Sequence, residues 1–255
     1  MATARDIVVA LALRHNGDWD KILKSIKEKD TLTEEELTQA AKTPAITLVD
    51  EEYPTSLRQC YRPPFALFYK GDVSLLKDCA KSIAYIGARD ASEYGKRMAE
   101  GICSDLVENG CAMVSGMARG IDSIALKTAL DNGGKAVAVL GSGIDCCYPK
   151  QNQDLYDELA EKGLILSEYP GMTLPSTESF PMRNRIVAAL ATAVIVGEAG
   201  KHSSTLVTVG YALNMGKDVG CIPFAAEADS ACNGLIKEGA ALIENADDAM
   251  LLISR

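Results

Sequence analysis

From residue 45 onward, short apolar runs alternate with longer segments of helical period. Strands are predicted at 46–49, 65–69, 82–86, 112–114, 136–140, 164–166, 193–196, 219–222 and 241–243. Helices are predicted at 94–108, 121–130, 154–161, 183–190, 204–215, 235–238 and 246–252. Runs of Val, Ile, Leu and Ala, most followed by a helix, mark a parallel sheet covered on both faces. The fold class is therefore α/β: Rossmann-like, doubly wound and mostly parallel. The first 43 residues read differently. Ile7, Val8, Leu11 and Leu13 suit a first helix, and Trp19, Ile22, Leu23 and Ile26 a second over 18–27. Thr33 with Glu36 is a capping box that opens a third helix to residue 42, and Pro44 follows its end. Three short helices are too little chain for a core of their own, so residues 1–43 are expected to form a small helical appendage on a domain spanning 44–255.

A length of 255 residues suits that division. The net charge of −9 argues against a general polyanion binder, yet it leaves room for a local basic groove, because screening confines a site to its nearest charges. Eight cysteines occur without a CxxC pair or a metal-type spacing to the two histidines, and Cys146 and Cys147 are adjacent. Reduced thiols, a cytoplasmic location and no bound metal are the expectations. The apolar stretch 7–13 ends at Arg14-His15-Asn16, and no run approaches the roughly 20 residues that span a membrane.

In a doubly wound sheet, ligands bind outside the carboxyl ends of the strands. The segments there are Gly87-Ala88-Arg89-Asp90-Ala91-Ser92, Ser115-Gly116-Met117-Ala118-Arg119-Gly120, Gly141-Ser142-Gly143, Ser167-Glu168-Tyr169-Pro170 and Gly197 to Thr205. Glycines let a backbone approach a ligand and leave N–H groups exposed at helix starts. Arg89, Arg119, Arg183, Arg185 and Lys201 would gather along this edge with the hydroxyls of Ser92, Ser115, Ser203, Ser204 and Thr205. The run Ser179-Phe180-Pro181-Met182-Arg183-Asn184-Arg185 stands out. If Pro181 holds Phe180 extended and a helix starts at Arg183, two guanidinium forks, an amide and free N–H donors form one anion site. Arg183 and Arg185 are two apart and cannot share a helix face, so one is expected toward the ligand and the other against Glu168 or Glu198. Asp122, Glu168 and Glu198 are read as carboxylates that orient arginines.

Neither a GxGxxG fingerprint nor a GxxxxGK[ST] loop is present, so no nucleotide cofactor is expected. His15 and His202 lack catalytic partners in the sequence pattern, and no nucleophile elbow or metal cluster appears, so the chain is not read as an enzyme.

The runs YPTSLRQCYRPPFALFYKG, IGARDASEYGKR, VSGMARGID, AVLGSGIDCCYP, SEYP, FPMRNRIVAAL and NGLIKEGA, in that order, resemble the DNA-processing protein A (DprA/Smf) family. That resemblance implies an extended Rossmann-like fold, sequence-independent binding of single-stranded DNA, a homodimer, and transfer of the strand to the RecA recombinase in DNA uptake. It places Gly87, Arg89, Ser115, Gly116, Arg119, Gly120, Arg183, Asn184, Arg185 and Lys201 on the DNA-binding edge. Phe180 is the aromatic that would stack on a base. Leu126 stands where the family usually has histidine, Ser203-Ser204-Thr205 where it has Ser-Gly-Ser, and Pro223-Phe224 where it has Pro-Gly. No C-terminal winged-helix domain is expected within these residues. The alternative function is a nucleotide sensor or phosphoribohydrolase-like enzyme on a related fold, but the PGGxGTxxE run of the latter is missing.

Overall fold

A computed structural model describes residues 2–254. Three helices come first: α1 (Ala4–Arg14), α2 (Trp19–Glu28) and α3 (Glu34–Lys42). The α/β part follows in the order β1 (Ala45–Thr47), α4 (Thr55–Arg58), β2 (Ala66–Gly71), β3 (Ser82–Gly87), α5 (Glu93–Glu108), β4 (Ala112–Ser115), α6 (Ile121–Asp131), β5 (Ala136–Gly143), α7 (Gln153–Lys162) and β6 (Leu164–Tyr169). It ends with α8 (Ser179–Leu190), β7 (Ala193–Glu198), α9 (Thr205–Asn214), β8 (Val219–Cys221), α10 (Ala231–Lys237), β9 (Ala241–Leu242) and α11 (Ala246–Ile253). The strands form one sheet in the order β1-β2-β6-β5-β4-β3-β7-β8-β9. The β1–β2 and β2–β6 pairings are antiparallel and all others parallel.

Alternate residues of each strand face opposite sides of the sheet. Ile83, Tyr85, Met113, Ala138 and Ile195 pack on one side with α5, α6 and α11, while Ala84, Ile86, Val114, Val139 and Val196 pack on the other with α8 and α9. The N-terminal helices share the first of these cores: Val9 and Leu11 of α1 are buried in the same cluster as Ile83.

Two differences from the sequence reading matter. The segment Val73–Lys81, unassigned there, winds as a 3₁₀ helix that leads from β2 into β3. Helix α8 begins at Ser179, four residues before the expected start. Pro181 does not hold Phe180 extended, because it sits in the first turn of α8, where its missing N–H costs no intrahelical bond. Arg183, Asn184 and Arg185 thus occupy the second turn with their amides inside the helix. The expected pairing of two arginine forks with free N–H donors at that helix start is not formed.

The capping box on α3 is present. Thr33 Oγ1 accepts from the Glu36 amide, Glu36 Oε2 accepts from the Thr33 amide, and Arg14 clasps the same carboxylate at 2.7 Å. The Arg14 side chain and the Thr33 amide lower the Glu36 pKa from 4.5 to about 2. A depressed carboxylate stabilises the fold above its unfolded value and loses that contribution as pH falls through the folded one. Acid titration of thermal stability should therefore show a Glu36 component between pH 4.5 and about 2. Glu36→Gln should flatten that limb, and an unchanged profile would contradict the assignment.

Candidate nucleic-acid interface

The order of strands reverses at β3. From there the chain steps through β4, β5 and β6 on one side, then returns as β7 on the other. The loops that leave the carboxyl ends of β3 and β7 run to opposite faces of the sheet at such a switch point and leave a crevice. Here the crevice is a trough of two connected compartments. The inner one, of about 390 Å³, is bounded by Gly87, Ala88, Arg89, Asp122, Asn184 and the hydroxyl-bearing run Ser203, Ser204 and Thr205 that opens α9. The outer one, of about 420 Å³, is bounded by Arg119, Gly141, Tyr148, Pro149, Lys150 and Gln151. Gly116, Arg89, Phe180 and Arg183 border both.

Arg183 forms the floor. Its Nη1 donates to the carbonyls of Gly116 and of Val139, the latter at 2.6 Å, and its Nε donates to Asn184 Oδ1 at 3.0 Å. A Cβ on residue 116 would lie 2.6 Å from the guanidinium carbon, so only glycine lets the β4–α6 loop close over it. Asp122 lies beneath the same loop and accepts from the amides of Gly87 and Gly116 at 3.2 and 3.1 Å. Burial raises the Asp122 pKa and lowers that of Arg183, while each charge favours the ionised form of the other. This carboxylate and guanidinium pin the loops, and Arg183 still borders both compartments, its Nη2 taking no hydrogen-bond partner among the described residues. Gly120, with φ +74°, turns the chain into α6, and a side chain there would strike the Ala88 carbonyl.

Above this floor the groups are accessible. Arg89 is exposed, and among the described residues its guanidinium takes no hydrogen-bond partner; its Cζ stands 5.7 Å from the centre of the Phe180 ring. The Tyr148 ring also lies 5.7 Å from that of Phe180, at 43°. Arg119 reaches Asp90 at 3.5 Å in an exposed pair, weak enough for a phosphate to displace. Lys150 adds a further cation.

Five residues expected at the site, Ser92, Ser115, Arg185, Glu198 and Lys201, face elsewhere, while Glu168 holds one arginine of the α8 pair as expected. Ser115 is fully buried and donates to the Tyr85 carbonyl. Ser92 caps α5 and donates to Glu198, so Glu198 holds a helix start, not an arginine. Arg185 is fully buried on the opposite face of α8 and binds both oxygens of Glu168 at 2.7 and 2.9 Å. That pair leaves neither Arg185 nor Glu168 free for a ligand. Lys201 points away to Asp229 at 2.9 Å. Tyr148, Lys150 and Gln151 were missed in the sequence. They follow a turn beyond the end of β5, outside the strand-end loops, and no charge cluster marks them.

Compared with known proteins, the chain matches the sequence profile of DNA recombination-mediator protein A over residues 44–254. It is 41% identical over 211 residues to DNA processing protein DprA of Streptococcus pneumoniae, covering 82% of this chain and 74% of that one. The X-ray structure of that pneumococcal protein superposes with a TM-score of 0.81 at 34% identity, covering 98% of this chain and 93% of the other. DNA processing protein A from Helicobacter pylori, described as having a unique single-stranded DNA binding mode, superposes at 0.75 with 31% identity, covering 84% of this chain and 98% of the other. With the profile match running from β1 to the end of α11 and the whole architecture reproduced, the chain belongs to the DNA recombination-mediator protein A family.

Proposed function

We propose that the trough binds single-stranded DNA without sequence preference and that the protein delivers the strand to the RecA recombinase in the cytoplasm. The observation that carries this reading is the row Arg89, Phe180 and Tyr148, an unpartnered cation and two accessible aromatic rings along one trough. Proteins that hold single strands irrespective of sequence combine a cationic track with stacking platforms in this way. Binding and transfer need no reacting side chain. His15 lies outside the trough, bonded to Ser25, and His202 is on the exposed loop before α9. The hydrogen-bonded floor keeps the loops in place whether or not a strand is bound, so binding costs little reorganisation. Homodimer formation through the segment 225–243, where Leu242 is 45% exposed, completes the proposal. Light scattering that finds only a 27.2 kDa monomer, with and without oligonucleotide, would remove the dimer. A RecA filament assay on the bound strand tests delivery.

Fluorescence anisotropy of labelled oligothymidylate and mixed-sequence strands tests the binding itself. Three accessible cations line the trough: Arg89, Arg119 and Lys150. At about 0.7 per phosphate contact, the log–log dependence of affinity on salt should have a slope of roughly −2 for either strand. A slope near zero, or tight salt-insensitive binding of a mononucleotide, would reject this function and favour a nucleotide sensor.

A further inference from the structure

A second cavity, of about 420 Å³, opens on the flank of the molecule between the loop after α4 and the far end of α9. Its lining is Gln59, Tyr61, Tyr211, Asn214 and Met215. These are two phenol rings, two carboxamides and a thioether, with no charged group among them. A flat, uncharged ring with donors and acceptors on its edge fits that chemistry. Aromatic faces stack on a base, and Asn or Gln side chains can pair with a base edge.

Four observations set this cavity apart from an ordinary surface dent. Tyr61 is 56% exposed, yet it is held from behind. Arg62 stacks on it at 5.5 Å and on Trp19 at 5.1 Å, and Asp20 anchors Arg62 at 2.9 Å. The loop itself is tied to α8, because Arg185 Nε donates to the carbonyls of Tyr61 and Arg62 at 3.0 and 3.1 Å. Arg62 also adopts φ +48°, a conformation that costs a non-glycine residue energy and persists only where its surroundings impose it. The cavity also lies close to the trough along α9. Val207 borders the inner compartment, and Tyr211, one turn further along the same face of α9, borders the flank cavity. The two are separated by about 6 Å of helix rise.

We infer that the Tyr61–Tyr211 cavity is a second nucleobase site, occupied by a base of the strand that leaves the trough along α9. This rests on the trough being the single-strand site. Gln59 and Asn214 would meet the base edge, and the tyrosine rings its faces. Because the site lies outside the trough, a strand must be long enough to reach it.

Anisotropy with oligothymidylates of about five and about twenty nucleotides, lengths within and beyond a single compact site, tests the inference. Tyr61→Ala and Tyr211→Ala should each weaken binding of the long strand roughly 5- to 150-fold, the range for loss of one stacked base, and leave the short strand unaffected. Tyr61→Phe, which keeps the ring, should bind as the parent does. Trp19 is the single tryptophan, so the long strand should also change its fluorescence, and the short one should not. If both alanine variants melt like the parent and bind the long strand equally well while Arg89→Ala weakens it, the second site is wrong and the trough reading stands. If the parent binds neither strand, both fall. If the alanine variants change the oligomeric state instead of the strand affinity, the cavity is a contact between copies and the inference is overturned.

Discussion

Arg185→Met should lower the stability of the fold by about 3–5 kcal/mol, the cost of leaving one buried charge without its partner. The Arg185 side chain is fully buried and that of Glu168 is 5% exposed, so neither can turn to water when the other is removed. The arginine also satisfies the carbonyls of Met182, Tyr61 and Arg62, and these would be left unpaired as well. At roughly 2–4 °C per kcal/mol for a chain of this size, the melting temperature should fall by about 10 °C. The pH dependence identifies the cause. Burial raises the Glu168 pKa, and Arg185 is the main opposing influence. Without Arg185, the folded value rises further above 4.5. A carboxyl with a raised folded pKa destabilises at pH values above its window and recovers as pH falls and the group takes up its proton. The deficit of Arg185→Met should therefore shrink as the solution is acidified below neutrality. Arg185→Met/Glu168→Leu, with no buried charge, should be more stable at neutral pH than Arg185→Met alone. A single variant that melts within about 0.5 kcal/mol of the parent, as a typical surface substitution does, would show that the pair carries no weight.

The parallel part of the sheet was legible because its strands are near-continuous apolar runs, each followed by a helix. That pattern identified the strand ends, and through them Gly87, Arg89, Gly116, Arg119 and the 203–205 hydroxyls as neighbours in space. The pattern could not show direction at the sheet edge. β1 and β2 have strand texture, and only their pairing with β6 reveals that they run antiparallel. It placed one arginine of the α8 pair against Glu168 or Glu198 but could not say which one. Arg183 and Arg185 look alike in sequence, and both are buried, one under the β4–α6 loop and the other against Glu168. Their roles depend on which face of α8 each occupies and on where that helix starts, and Pro181 disguised the start. Ser92 and Ser115 misled for the same reason: a hydroxyl beside a glycine loop can cap a helix or bond a neighbouring strand as readily as a ligand. Tyr148 and Lys150 were hidden because a turn beyond β5 carries them back to the trough, and nothing local to 144–150 encodes that return.

With Arg185 held by Glu168 and Arg183 buried beneath the Gly116 loop, the binding contribution is expected mainly from the exposed cations, and Arg89→Ala/Arg119→Ala should be the most damaging pair for affinity that leaves the fold intact. Arg89 has no partner to lose among the described residues, and Arg119 has only its exposed contact with Asp90. Each charge-assisted hydrogen bond is worth about 1.5–3 kcal/mol, so the two together should weaken binding by about 3–6 kcal/mol and leave the melting temperature nearly unchanged. Two phosphate contacts fewer should make the salt slope shallower by roughly 1.4. Lys24 lies on α2, in the N-terminal helices outside both compartments, and among the described residues its exposed side chain ion-pairs with Glu28 alone, at 3.9 Å, so Lys24→Ala serves as the control. The decisive measurement is anisotropy of labelled oligothymidylate titrated with parent, Arg89→Ala/Arg119→Ala and Lys24→Ala across a range of salt. The trough account expects the double variant alone to lose affinity and slope. Undiminished binding by the double variant, with a loss in Lys24→Ala, would place the strand elsewhere on the molecule.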